Sequence, residues 1–227
     1  MSATGILLII LVLVLVFYAI YYVYNSTQTL YNLNDKTPEI AFDKITYPQS
    51  TRYSYKMWIF VNSWSTAQKV IINPSGADGS PSNLKLYLDA SSPTLKCDIL
   101  TTDPGANPTK QVVITNNFPL QRWVYIGVSV DGSIVDCYID GKLIRSADLG
   151  FPSDLTNASA ASKNLTIRFG QFDAFLTKFS RINGATDPQT AWNEYMSGNG
   201  YESKLAPSYG FQFSVNKDKD IIASYKY

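Results

Sequence analysis

Few side chains in this sequence could do chemistry. Histidine is absent from all 227 residues, which excludes Ser-His-Asp and Cys-His nucleophiles and any histidine-ligated metal site. Glutamate occurs only as Glu39, Glu194 and Glu202. Hydrolysis of a sugar linkage needs two carboxylates facing each other across the ring. Here Glu194 falls on a predicted helix, Glu202 after it and Glu39 in an entry segment, while Asp140, close to Asp136 in sequence, belongs to a turn. No catalytic residue is assigned. Loop carboxylates such as Asp78, Asp103 and Asp173 could supply oxygen ligands to calcium. No spacing marks an ion loop, so they read as solvated turn residues, and neither a metal site nor a cofactor is expected. Trp64 and Tyr87, with Tyr201 and Tyr209 behind them, are candidate stacking platforms for a glycan. Trp58, Trp123 and Trp192 lie inside apolar patterns and read as core. Cys97 and Cys137 each sit in a strand-like run; they could pair if those strands are neighbours, and are read as two buried thiols. Net charge is +1, too small to draw a nucleic acid. Of the three glycosylation sequons, Asn25 and Asn157 are the better placed and Asn164 opens a predicted strand.

The elements that must position these groups are almost all strands. Trp123 to Ser146, WVYIGVSVDGSIVDCYIDGKLIRS, holds three alternating runs separated by two Asp-Gly pairs. Val124, Ile126, Val128 and Val130 share one parity, and Val135, Cys137 and Ile139 another. Period two marks strands with a buried face. Asp-Gly between such runs signals type I′ hairpins, so a three-stranded antiparallel meander is expected. Upstream, RYSYKMWIFVNSW is apolar on both parities, as in a central strand covered on both faces. KVIIN is a strand, Pro74 to Asn83 a loop, and LKLYLDA with TLKCDIL a hairpin; QVVIT, NLTIRFG and FDAFLTKFSRI follow as strands. Asp187 and Pro188 start a short helix that presents Ala191, Trp192, Tyr195 and Met196 to the body, with Gly198 as its C-cap. YGFQFSV and DIIASYKY form a last hairpin that completes a sheet. A short strand is also expected in EIAFDKITYP.

Ile6 to Tyr24, ILLIILVLVLVFYAIYYVY, runs nineteen residues without charge, Gly, Pro or amide. As a helix it would span ~28 Å, enough for a bilayer core. Ile6, Leu11 and Val16 belong to its apolar body; Tyr18, Tyr21, Tyr22 and Tyr24 resemble an interfacial aromatic belt. With no Lys or Arg before Lys36, it reads as an uncleaved single-pass anchor of unset orientation, not a signal peptide. The expected organisation is a tail (1–5), a transmembrane helix (6–24), a polar tether (25–37) and one β domain (38–227).

WVYIGVSVDGSIVDCYIDGKLI, with YKMWIF before it and LTIRFGQFDAFLTKFSRINGATDPQTAWNEYMSG after it, resembles the laminin G-like, concanavalin A-like pattern. The resemblance covers most of residues 40–227. It implies a mainly β antiparallel sandwich or jelly roll with one short helix. The Glu-x-Asp-x-(x)-Glu strand motif of the family's polysaccharide hydrolases is absent. A Tyr-rich anchor directly before a single such domain also resembles the membrane-anchored minor capsid proteins of large double-stranded DNA viruses, such as those of algae. That resemblance implies a non-enzymatic virion protein between inner membrane and capsid shell, with the lipid bilayer and capsid protein as partners. The alternative is a surface glycan-binding or adhesion protein.

Overall fold

Alternation is what the core is made from. In the computed structural model, which describes residues 5, 11–17, 30–33, 40–41, 50–76, 83–154, 165–200, 212–217 and 220–226, strands β1 (Leu30–Asn32), β2 (Ile40–Ala41), β3 (Arg52–Val61), β4 (Lys69–Gly76), β5 (Leu84–Leu88), β6 (Leu95–Leu100), β7 (Thr109–Thr115), β8 (Trp123–Asp131), β9 (Ile134–Ile139), β10 (Lys142–Asp148), β11 (Leu165–Phe169) and β12 (Ala174–Ile182) form two antiparallel six-stranded sheets. The front sheet has the order β1-β12-β3-β8-β9-β10 and the back sheet β2-β11-β4-β5-β6-β7. Tyr53, Tyr55, Met57 and Ile59 of β3, Val124 to Val130 of β8 by alternate residues, and Val135 and Cys137 of β9 meet Leu84, Leu86, Leu95, Cys97 and Ile99 of the back sheet in one buried cluster. Each such aliphatic side chain contributes roughly 2 kcal/mol by leaving water. The chain is thus a two-sheet antiparallel sandwich.

The meander follows the two Asp-Gly pairs, but their turns differ. Asp140 (φ 50°) and Gly141 (φ 74°) are both left-handed and join Ile139 to Lys142 as type I′ requires. The β8–β9 loop is instead Gly132-Ser133, because Asp131 pairs with Ile134. Only Gly132 (φ 63°) has a positive φ there, the II′ pattern, so Asp131 is the last strand residue. It forms an ion pair with Arg52 at 2.9 Å.

β3 is covered twice. Its other parity, Ser54, Lys56 and Trp58, is buried with Tyr125 and Ser129 of β8 beneath the helix Pro188–Met196 and the segment before it. Asp187 caps that helix, accepting from Thr190 N at 3.0 Å and Thr190 Oγ1 at 2.6 Å. Pro188 occupies its first turn, and Gly198 N closes it on Tyr195 O at 3.0 Å. The Asp140–Gly141 turn lets the helix lie close: a Cβ on Gly141 would stand 2.8 Å from Tyr195 Cβ.

Four expectations are corrected. The segment 25–37 is not wholly a tether: Leu30–Asn32 pairs with β12, and Leu33 is fully buried in the main core with its N bonded to Ala174 O. β4 runs past the expected loop start to Gly76, because β11 pairs with it there, Ile167 against Pro74. The last hairpin, β13 (Gln212–Lys217) and β14 (Asp220–Lys226), joins neither large sheet and forms its own two-stranded one. Trp192 and Met196 do not face the body: they are 40% and 64% exposed, because a helix of this length turns only Ala191 and Tyr195 inward.

Of the predicted anchor, residues 11–17 are helical, and all seven side chains, Leu11 and Val16 included, are 46–72% exposed. Among the described residues no helix is long and apolar enough to cross a membrane. Ile6, Tyr18, Tyr21, Tyr22, Tyr24, Asn25, Asp78, Asn157, Asn164, Tyr201 and Tyr209 lie outside the described residues.

The tightest backbone approach is at Gly170, where a Cβ would come 1.9 Å from Val70 O. Gly170→Ala must push β4 away and is expected to cost about 3 kcal/mol. Gly150→Ala, at φ 77° but with nothing within 4 Å, should cost only about 1 kcal/mol. Denaturant melts of the two variants in detergent check the order; equal losses would mean the β4–Gly170 approach is not rigid.

Candidate functional site

The second face of β3 carries a buried charge. Lys56 sits between Ser54 and Trp58 on the covered parity, and its side chain is only 5% exposed. A buried ammonium needs a counter-charge, which the helix supplies: Lys56 Nζ donates to Glu194 Oε1 at 2.5 Å, and Tyr125 Oη donates to Glu194 Oε2 at 2.7 Å. Glu194 is 37% exposed, so the pair opens to solvent on one side. Trp58 stacks on Tyr195 at 5.6 Å and meets Tyr125 edge-on at 5.8 Å, forming an apolar floor.

A bulge in β12 completes the site. Thr177 pairs with Trp58 and Ser180 with Lys56, so Lys178 and Phe179 together oppose Met57. Lys178 takes φ 49°, a left-handed conformation that costs a side-chain-bearing residue about 1 kcal/mol. That twist sends its ammonium to the end of the helix, where Nζ donates to Gly198 O at 2.6 Å. A cation suits the negative end of a helix dipole. Phe179 turns inward, stacking on Tyr55 at 6.1 Å and edge-on to Phe169 at 5.0 Å. Between sheet and helix is a cavity of about 320 Å³ whose lining includes Lys56, Trp58, Tyr125, Lys178, Phe179 and Glu194. Burial lowers the Lys178 pKa, and burial followed by the bond to Glu194 raises that of Tyr125.

The expected site residues lie elsewhere and are not brought together. Trp64 is half-buried against the core rim, with Lys69 Nζ 3.6 Å over its ring. Lys69 is itself buried and donates to Ser65 O and Ala67 O, so one face of Trp64 is closed to a sugar. Tyr87 is 4% exposed; its hydroxyl donates to Asp98 Oδ1 and accepts from Gln111 Nε2, and Lys85 Nζ lies 4.9 Å over its ring. Neither is an open platform, because each ring is used to hold a lysine. Asp103 accepts from Lys110 and Gly105 N, and Lys110 holds its carboxyl below the usual range. Asp173 accepts from Ser63 and Asn62. Among the described residues no three His, Cys, Asp or Glu side chains gather as a ligand set. Cys97 and Cys137 are both buried and free. Asp140 serves its turn, accepting from Tyr125 N and Arg122. The residues missed were Lys56, Lys178 and Glu194. Lys56 carried the one available signal, a lysine on a parity otherwise filled by Trp58 and Phe60.

A family model described as the concanavalin A-like lectin/glucanases superfamily matches residues 34–178, well over half of the chain. The chain belongs to that superfamily. Solved structures with this concanavalin A-like architecture include the receptor binding domain of botulinum neurotoxin mosaic serotype C/D (12% identity, TM-score 0.52, covering 76% of this chain and 46% of that one). Another is the binding domain of Paraclostridial Mosquitocidal Protein 1 (12%, 0.51, 75% and 43%). A third is the binding domain of botulinum neurotoxin DC in complex with rat synaptotagmin II (13%, 0.50, 75% and 40%). This chain spans less than half the length of each, and at these identities the likeness is one of fold. No curated protein matches the sequence.

Glu194→Gln should cost about 1–2 kcal/mol, less than a fully buried pair because Glu194 is partly solvated. The double variant Lys56→Met/Glu194→Gln should be more stable than Glu194→Gln alone, since the orphaned ammonium is gone; a denaturant-melt cycle without that recovery refutes the ion pair as the helix fastener.

Burial also pushes the acids Tyr55 and Tyr138 up to about 12 from 10.0. A raised folded pKa stabilises the neutral form, so this stability is complete below pH 10 and is lost as pH rises from 10 towards 12. Melting temperature should fall across that window, and the fall should be smaller in Tyr55→Phe and Tyr138→Phe variants; a fall of unchanged size in both would contradict the packing.

Proposed function

We propose that this chain is a non-enzymatic binding protein held in a membrane by its N-terminal helix, and that it works as a structural link between that membrane and a protein layer. In its specific form this is a minor capsid protein at the interface of a virion's inner membrane and shell. The observation that carries the non-enzymatic reading is the cleft itself. Its lining holds one carboxylate, Glu194, and both of that group's oxygens are engaged by Lys56 and Tyr125. Glucanase chemistry needs a second carboxylate opposite the first. The anchor reading is supported by the uncharged run 6–24 and by seven consecutive apolar side chains exposed on helical residues 11–17, a surface that calls for lipid. The receptor-binding role printed for the similarly folded toxin domains is of the same kind, recognition through a sandwich surface.

A second reading, glycan recognition, is favoured by the cleft's make-up. An aromatic floor of Trp58 and Tyr125 edged by hydroxyls and ammonium groups in about 320 Å³ suits one sugar ring.

The experiment is a capture with the tagged, detergent-solubilised full chain from its native source, eluted first with mixed sugars plus chelator and then with denaturant. A shell protein recovered only by denaturant is the expected result. Glycoproteins released in the sugar fraction would replace the linker by the glycan-binding reading.

A further inference from the structure

Lys56 has more donor capacity than its partners use. An ammonium carries three N–H groups. Among the described residues Lys56 Nζ makes one hydrogen bond, to Glu194 Oε1, although its side chain is only 5% exposed. A buried donor without an acceptor is costly, so its remaining N–H groups are met from the cavity that Lys56 lines, by water or by a ligand. Lys178 is in a similar state. Its Nζ holds Gly198 O at 2.6 Å, and its approach to Ser197 O, at 3.5 Å, is at the limit of a hydrogen bond. The two lysines reach the same cavity from neighbouring strands, because Ser180 stands opposite Lys56 in the β12–β3 ladder and the bulge puts Lys178 just ahead of it.

The charges that line the cavity do not cancel. Lys56 and Lys178 are positive and only Glu194 is negative. The carbonyl end of the helix, where Ser197 joins the lining, offsets about half a charge. A ligand with a net negative charge is therefore favoured. Glu194 sets a second condition. Lys56 and Tyr125 each take one of its oxygens, but a carboxylate oxygen has two lone pairs. The exposed side of Glu194 thus repels a bare anion and accepts from a hydroxyl. A fitting ligand brings a carboxylate for the ammonium groups and hydroxyls for Glu194. An acidic peptide side chain brings the first without the second, and a zwitterionic amino acid has no net charge to match. About 320 Å³ over Trp58 suits one ring.

We infer that the cleft binds a sugar acid, with the pyranose ring against Trp58, its carboxylate met by Lys56 and Lys178, and its hydroxyls by Glu194 and Ser180. The inference rests on the glycan reading of the cleft and deepens it by naming the class, the uronate residue of an acidic glycan. The ammonium groups supply the positive charge themselves, so binding is insensitive to chelator.

The test is a saturation-transfer NMR titration of the detergent-solubilised full chain, with chelator present throughout. The probes are the methyl glycosides of glucuronate and galacturonate, those of glucose and galactose as neutral counterparts, and acetate. The expected result is binding of at least one uronate, with its neutral counterpart and acetate about tenfold weaker. Raising salt from roughly 0.1 to 1 M should weaken the uronate alone. Lys178→Gln should bring the uronate down to its neutral counterpart, while Lys110→Gln, at a lysine paired with Asp103, leaves the preference unchanged. Equal binding of a uronate and its neutral counterpart overturns the inference and leaves the glycan reading standing. Acetate bound as tightly as a uronate also overturns it, leaving a bare-anion site. No binding of any of the sugars removes the inference and the glycan reading together. A preference that survives Lys178→Gln in a chain that melts as the wild type does overturns the site. If that variant loosens the fold, the salt dependence of the wild-type chain decides, and a uronate affinity that salt leaves unchanged overturns the inference.

Discussion

A strand that is apolar on both parities has to be covered on both sides, and the architecture follows from how β3 meets that demand. One parity, Tyr53 to Val61 by alternate residues, faces the back sheet and fills the main core. The other bears Ser54, Lys56 and Trp58 and cannot face water. A second sheet on that side would make three layers, which a chain of this size does not supply. The cover is instead one short helix, fastened at three points: the stack of Tyr195 on Trp58, the close approach at Gly141, and the bonds of Glu194 to Lys56 and Tyr125. Because the helix is shorter than the sheet is wide, the cover is incomplete, and the cleft is the uncovered remainder.

That origin explains the cleft's chemistry. Its polar groups are there to satisfy one another. Lys178 accepts a strained backbone to bring its ammonium to the helix terminus, and Glu194 neutralises Lys56. Groups held this firmly are pre-organised, so a ligand would meet a fixed pattern of charge and aromatic surface at little ordering cost. They are also engaged: Lys56 and Tyr125 bond the two oxygens of Glu194, and Lys178 bonds Gly198 O.

Period-two patterning and turn chemistry made most of the sandwich legible in the sequence. The meander, the double burial of β3, the β5–β6 hairpin and the Asp187-capped helix could all be read from residues adjacent in the chain, because local spacing determines them. What could not be read depends on partners distant in sequence. The strand character of Leu30–Asn32 comes only from pairing with β12, some 145 residues later, and its own sequence looks like a polar tether. The β8–β9 turn moved by one residue because Arg52 and β3 hold Asp131 in the ladder. The cleft was illegible for the same reason. Lys56, Glu194 and Lys178 are unremarkable apart, and only the register of β12 on β3 with the helix folded over them joins them. Trp64 and Tyr87 misled because sequence does not show what covers a ring: Lys69, from the strand after Trp64, lies over one, and Lys85, two residues before Tyr87 on the same strand, lies over the other.

The leading edge of the front sheet is secured by more than its own ladder. β1 is an edge strand, held by β12 on one side only, so a pull along the N-terminal segment loads that ladder first and the buried Leu33 next. Leu33 is fully buried, and its N bonds Ala174 O while its O accepts from Phe172 N. This small lock joins the leading segment to the β11–β12 connection. Gly170, in contact with Val70, sits in the same connection. Load entering at Leu30 therefore passes to both sheets at once, into the front through β12 and into the back through β4. A two-residue hydrophobic edge contact alone would peel; one keyed into a connection that cannot move without displacing β4 resists as part of the whole core. The result is a leading strand secured to both sheets. It arises here from a single buried leucine, two backbone hydrogen bonds and a glycine with no room for a methyl group.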